Sequence, residues 1–455
     1  MVSDGRRLLV ISYHFWGDGA VGGLRWAGLS KYLVRRGWQV AVLTAALPLP
    51  SDAADGVHVE HCARFWTLND CYRLLTRTEQ RGRRLPPQPS SATSSSRAGL
   101  WRQLRREVVA LLALPDDSRG WSLRAAVHAR SLLRRFQPQV VVSSGPPHAA
   151  HLAAGLALLG SRARWFIDLR DPWAGPHPQW WKSHPLYETR IARAVIPRLE
   201  RLVFRAAEGV IVNTPQLARA LAAKYPGVTV ECIPNGVDVE HLPPRARHPF
   251  PGLAIACVGT LYGHRDLGPV LQALRVFLQR HPEAAQGGVK LRVAGRAESP
   301  HARALEEQVA ALGLGDYVEV LGQLPRTQAL DLMSRSHLAV VLAQSQAWST
   351  PAKLYEPVAL GIPTLVVAEH DSAAAMEGQR LGTNVLEPDD PEGIAHLLER
   401  VWRRETGTPF QCRVPVAYEA IAPLADQLLA TRSHSGAPPN ADTRLLRCRE
   451  VGGTT

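Results

Sequence analysis

"RLLVISYHFWGDGAVGGLRWAGLSKYLVRRGWQVAVLT", residues 7–44, decides how the rest of the chain is read. "RLLVIS" (7–12) is a short apolar run, "GLRWAGLSKYLVRRG" (23–37) is amphipathic at helical spacing, and "QVAVLT" (39–44) is apolar again. Strand, helix and strand in this order make a βαβ unit, whose two strands lie parallel. Outward from it the pattern repeats in "QVVVSS" (139–144), "ARWFIDL" (163–169), "GVIVNT" (209–214) and "VTVECIP" (228–234). After residue 252 it restarts with "LAIACVG" (253–259), "VKLRVAG" (289–295), "YVEVLG" (317–322), "HLAVVLA" (337–343), "IPTLVVA" (362–368) and "TNVLEP" (383–388). The expected class is α/β, with two doubly wound parallel sheets covered by helices on both faces. The Pro-rich, non-periodic "VDVEHLPPRARHPFPG" (237–252) reads as the link between them.

Glycines 17, 19 and 22 of the opening stretch spell G-x-G-x-x-G. The dinucleotide reading fails on context. Tyr13, His14, Phe15 and Trp16 separate the strand from the first glycine, and the second strand ends on Thr44 without a carboxylate. Gly22 and Gly23, lacking Cβ atoms, can let a phosphate or sugar oxygen approach a helix start; equally they can ease a tight strand-helix connection. His264-Arg265-Asp266-Leu267 copies a kinase tetrapeptide, but Leu271 stands where the kinase pattern needs Asn, and no other kinase motif accompanies it.

The 455 residues suit two domains. No apolar run is long enough to cross a bilayer, and the N-terminus reads as a strand rather than a leader. Six cysteines (62, 71, 232, 257, 412 and 448) without metal or disulfide spacing fit a reducing cytoplasm. The net charge of +13 is uneven: residues 1–240 carry 32 Lys and Arg against 18 Asp and Glu. A positive first half favours anionic partners such as a membrane surface or a phosphorylated acceptor, and no nucleic-acid module is present. "RGRRLPPQPSSATSSSRAG" (81–99) reads as a mobile insertion and 433–455 as a disordered tail. Between insertion and strand, "LWRQLRREVVALLAL" (100–114) reads as a basic amphipathic helix covering the sheet, with membrane contact as the alternative.

The chemistry concentrates in "WSTPAKLYEPVALGIPT" (348–364). Ser349 or Thr350 is expected to cap a helix with Pro351 in its first turn and Gly361 at its end. That helix start would sit at the carboxyl edge of a parallel sheet, where ligands of such sheets bind. Lys353 in the first turn suits a phosphate; Glu356, one turn on, can accept two hydroxyl hydrogens from a ribose, or simply pair with Lys353. Arg265, in the loop "VGTLYGHRDLGPVLQAL" (258–274), can fork onto a second phosphate oxygen.

With those residues in place, the chain resembles the GT-B glycosyltransferases, close to the retaining family 4 enzymes. The likeness runs over most of 6–405. It rests on an ordered set: the Gly22-Gly23 loop with "LSKYLVRRGWQVAVLT" (29–44), "SSGPPHAAHLAA" (143–154), "IDLRDPW" (167–173), "VIVNTP" (210–215), "IPNGVD" (233–238), "VGTLYGHRDL" (258–267) and "PAKLYEPVALGIPTLV" (351–366). The resemblance implies two Rossmann-like domains with a cleft between them: 1–240 on the acceptor side, a linker at 241–252, and 253–410 for the nucleotide sugar. A helix at 411–432 would pack back on the first domain. It further implies a donor of the UDP, GDP or TDP type, no metal and no other cofactor. Arg265, Lys353 and Thr350 would hold the diphosphate, Glu356 the ribose, and Gly22 and Gly23 the donor phosphate or acceptor. His148 would touch the donor sugar, with His151 a weaker candidate, and Arg170 and Asp171 would line the acceptor side. For His148 a helix-start cap is the alternative role. The E-x7-E pattern common in the family is broken, since Trp348 stands at the first Glu position. A non-catalytic nucleotide-sugar-binding subunit and a sugar-nucleotide epimerase of the same fold remain alternatives.

Overall fold

The computed structural model describes residues 6–16, 21–45, 55–66, 114–116, 118–175, 189–246, 249–261, 265–296, 301–404, 412 and 415–431, with short pieces at 103–104, 107–108 and 111–112. The expected insertion at 81–99 and the tail at 433–455 lie outside them, as do Gly17, Gly19 and His264.

The chain forms two units. The first holds residues up to 212 with 218–231 and 429–431; the second holds 213–217 and 232–428. In the first, β1 (Arg7–Ser12), β2 (Gln39–Thr44), β3 (His58–His61), β4 (Val140–Gly145), β5 (Arg164–Leu169), β6 (Gly209–Val212) and β7 (Val230–Cys232) form one sheet in the order β3-β2-β1-β4-β5-β6-β7. The pairings from β3 through β6 are parallel. β1, β2, β4 and β5 are almost wholly buried, because helices cover both faces and leave no polar side to the strands. β3, "HVEH", escaped the sequence reading: it is a half-exposed edge strand with too few apolar residues to announce itself.

In the second unit β8 (Leu253–Val258), β9 (Val289–Ala294), β10 (Val318–Gly322), β11 (Leu338–Leu342), β12 (Thr364–Val367) and β13 (Asn384–Leu386) order as β10-β9-β8-β11-β12-β13, all parallel. Leu253, Ile255 and Cys257 face a core with helices Gly268–Arg280 and Pro391–Trp402, while the alternate Ala256 faces the other side with Leu330 and Met333. Strand order reverses between β1 and β4 in one sheet and between β8 and β11 in the other. At such switch points the loops leave in opposite directions and open a crevice at the carboxyl ends.

The chain crosses into the second unit at Cys232, ahead of the Pro-rich stretch. That stretch begins tied down: Val237 N donates to Val416 O at 2.9 Å, and Tyr418 N to Val237 O at 3.0 Å. The last helix, Tyr418–Ala430, lies mainly in the second unit, and Leu429 at its end accepts from Arg164 at 2.8 Å within the first.

The 100–114 segment is divided among its described residues. Leu104, Val108 and Leu111 point outward at 51, 46 and 51 % exposure, while Leu112 and Leu114 are half-buried. The Glu107 carboxylate accepts from the amides of Arg190 and Ile191, two first-turn donors of helix Arg190–Ala206 that have no partner within the helix. No helix among the described residues is long and apolar enough to cross a membrane.

Candidate active site

The second unit's switch point is built by the loops after β8 and β11. The aliphatic part of Lys353 runs over Gly259, whose missing Cβ would lie 3.9 Å from Lys353 Cδ. Gly295, at the end of β9, has φ +149°, and a Cβ there would strike Gly259 O, so only glycine lets the two loops meet. Lys353 and Arg265 both act on the buried Cys257 thiol beneath them, which burial pushes up to about 12 while both cations pull it down. Both cations therefore lie within electrostatic reach of the end of β8. Burial lowers the Lys353 ammonium from the ordinary lysine value; Glu356 and Cys257 oppose this, and Arg265 and Arg326 reinforce it. Among the described residues no oxygen hydrogen-bonds or ion-pairs with that ammonium.

The segment 351–361 corrects the sequence reading. It is not one capped helix but a 3-10 turn, Ala352–Leu354, followed by the five-residue helix Tyr355–Ala359. Pro351 occupies the cap position with no side-chain cap bond, and the Thr350 hydroxyl donates to Ala373 O at 3.4 Å. So short a helix has little macrodipole to offer an anion. Attraction at this edge comes from side-chain cations. Glu356 does not pair with Lys353 either: Oε1 accepts from Arg326 Nη1 at 2.5 Å. Arg326 follows β10 and escaped the sequence reading, because nothing local links it to a residue thirty positions away. Gln344, also missed, is 6 % exposed just after β11, and its Nε2 donates to Asp266 O at 2.6 Å, which fixes the loop that carries Arg265.

In the first unit, Gly23 is buried at the start of helix Val21–Arg35, and a Cβ on it would lie 2.6 Å from the main chain of Phe15. The glycine is thus required by the chain's own backbone. Arg170, expected to line the acceptor side, is 8 % exposed and spends its guanidinium on three carbonyls: Gly145 at 3.2 Å, Gly22 and Pro146. It locks three loops together, and the neighbouring Asp171 is half-buried. His148 occupies the cap position of helix Ala149–Ala157 but makes no side-chain cap bond; its ring stacks on Trp173 at 4.9 Å and 11°. His151 is fully buried one turn on, Nδ1 against Ser143 Oγ at 2.9 Å.

Two buried carboxylates brace this edge and were not singled out by the sequence reading. Asp168 accepts from Arg25 Nε at 3.0 Å, Trp26 Nε1 at 2.8 Å and Ser144 Oγ at 2.7 Å, tying the helix after β1 to β4 and β5. Glu200 accepts from Ala174 N at 2.9 Å, Lys224 Nζ at 2.9 Å and the Tyr225 hydroxyl, holding the loop that carries Trp173.

Burial lowers the His151 pKa from 6.5 to about 3; Asp168 opposes the shift and Arg170 adds to it. Below pH 6.5 the unfolded chain accepts a proton there that the folded chain refuses. Stability should be full above pH 6.5 and fall as the pH drops toward about 3, and His151→Gln should flatten part of that decline in pH-dependent unfolding.

Comparisons with known proteins agree across both units. The model for Glycosyltransferase Family 4 matches residues 86–241, and that for Glycosyl transferases group 1 matches 245–409. None of the curated proteins matches the chain in sequence. Among solved structures, HepE of Anabaena in complex with UDP-glucose superposes with a TM-score of 0.56 at 15 % identity, over 94 % of this chain and 98 % of that one. The α,α-trehalose 6-phosphate synthase of Burkholderia multivorans gives 0.56 at 18 %, over 94 % and 93 %. Sucrose-phosphate synthase of Thermosynechococcus elongatus gives 0.52 at 15 %, over 93 % and 98 %.

Proposed function

The chain belongs to the group 1 glycosyltransferases, is family 4-like and has the GT-B fold, and from that premise we propose that it transfers a sugar from a nucleotide-diphosphate donor with retention of anomeric configuration. One observation carries the donor reading: a largely buried ammonium, Lys353, without an oxygen partner among the described residues, beside Arg265 at a topological switch point. A buried cation left unpaired is costly, and a diphosphate would satisfy it. Glu356 keeps Oε2 to accept from a ribose hydroxyl while Arg326 holds Oε1.

In this reading Arg265 and Lys353 stabilise the charge that develops as the bond from the anomeric carbon to the diphosphate oxygen breaks. The acceptor oxygen attacks the same face, and its proton passes to the departing phosphate oxygen. No metal is needed. Gly22, Gly23 and His148 at the first unit's carboxyl edge would serve the sugar and acceptor, with Arg170 shaping that edge through its three carbonyls. The structural relative HepE is described in complex with UDP-glucose, which supports a UDP-type donor ahead of GDP or TDP. The positive first half supports an envelope-linked or lipid-phosphate acceptor at the cytoplasmic face of a membrane, with peripheral contact to anionic lipid.

Thermal unfolding with UDP, GDP, TDP and ADP tests the donor site. One nucleotide, UDP first, should raise Tm by several degrees at saturating concentration. With the matching donor sugar and a lipid-phosphate acceptor, NMR of the product should show the donor's anomeric configuration. No shift with any nucleotide overturns the donor reading. Nucleotide binding with no product would favour a binding subunit, and an altered donor sugar would indicate an epimerase.

A further inference from the structure

We propose that the first unit carries a docking surface for an anionic lipid bilayer, built from exposed apolar side chains interleaved with arginine. The proposal deepens the membrane contact in the reading above and is independent of nucleotide binding. The outward stripe Leu104, Val108 and Leu111 is one part. Leu123 and Val127, one turn apart on helix Arg119–Phe136, are 68 and 70 % exposed although the opposite face of that helix buries Trp121, Ala125 and Ala129. Phe65 and Trp66, at 56 and 68 %, are the third part.

Contacts join the three. Phe65 N donates to Gly120 O at 3.0 Å, and the Arg124 guanidinium lies 4.9 Å from the Phe65 ring centre. Arg119 Nη1 reaches Leu111 O at 3.5 Å. Among the described residues, three carboxylates around the patch are engaged. Glu107 holds two helix-start amides, Asp116 accepts from Ser118 N and Ala149 N at 2.9 Å each, and Glu60 pairs with Arg135 at 3.0 Å. Arg64, Arg119 and Arg124 thus lie among exposed apolar side chains with these three acids spent internally.

Here arginines interleave with the apolar residues, as they do at the headgroup level of a bilayer, where an apolar body enters the acyl boundary and a cation stays with phosphate. The excess of cations over residues 1–240 gives the first half of the chain a long-range attraction to anionic lipid.

The test is co-sedimentation of the full chain with vesicles of equal parts phosphatidylglycerol and phosphatidylcholine, against phosphatidylcholine alone. The protein should bind the mixed vesicles, less so with added salt, and Leu123→Glu with Val127→Glu should weaken binding by about tenfold or more. The nucleotide-induced Tm shift of that variant should match the parent's, which separates failure of this surface from failure of the donor site. Brominated lipid should quench part of the parent's tryptophan emission, and Trp66→Phe should remove part of that quenching. No binding by the parent, equal binding by the double variant, or salt-independent binding to both vesicles overturns the proposal. Concentration-dependent self-association that the double variant abolishes, without vesicle binding, assigns the patch to a second copy of the chain instead.

Discussion

Lys353→Ala should remove nucleotide-diphosphate binding almost entirely while leaving the unliganded protein as stable as before, or slightly more so. The two halves of this result have one cause. The ammonium is largely buried without an oxygen partner among the described residues, and burial lowers its pKa. Removing it relieves a desolvation cost in the empty protein. With a diphosphate bound, the same group makes charge-assisted hydrogen bonds in a shielded site, each contributing about 1.5–3 kcal/mol. Affinity should therefore drop by about 10²-fold, and the Tm shift given by the preferred nucleotide should vanish at concentrations that saturate the parent. Calorimetric titration of parent and variant measures this directly. Binding should also weaken as pH rises through the lowered lysine pKa, earlier than for an ordinary lysine, because the bound anion favours the protonated form. A variant that still binds with the parent's affinity would place the diphosphate elsewhere.

Asp168→Ala should produce the largest loss of stability, about 3–5 kcal/mol, in the unfolding transition of the first unit. The carboxylate is fully buried and receives Arg25, Trp26 and Ser144. Truncation leaves the Arg25 guanidinium, itself 2 % exposed, with its main countercharge gone. Replacing both partners, Arg25→Met with Asp168→Leu, should recover much of the loss, since an apolar pair of similar volume needs no compensation. Denaturant unfolding of the single and double variants supplies the cycle. An additive double variant would show that Asp168 acts through packing and not through its charge.

Much of the fold was legible because parallel strands covered on both faces must be apolar throughout. "LLVI", "VVV" and "LVV" stand out against the helical spacers in any window. β3 did not stand out, since an edge strand may be polar and takes its conformation from hydrogen bonds to β2. The placement of Lys353 and Arg265 was legible for a related reason. Lys353 and Arg265 lie in loops that directly follow strands, and a parallel sheet sends all such loops to one edge.

The roles within that edge were not legible. Local rules offered Ser349 or Thr350 as a cap and set Glu356 on one face with Lys353, to accept from a ribose or to pair with that lysine. The fold instead turned the Thr350 hydroxyl toward Ala373 and gave Glu356 the distant Arg326. The Arg170 side chain, placed by sequence on the acceptor side, closes on the carbonyls of Gly22, Gly145 and Pro146, which no spacing rule connects. The sequence by itself determined the α/β class, the two parallel sheets and the loops that carry the cations, because periodicity and strand order are local properties. Only tertiary structure decided which partner each polar side chain takes and which face the 100–114 stripe presents. A buried donor or acceptor is satisfied by whichever group lies nearest in space, and that neighbour can come from anywhere along the chain.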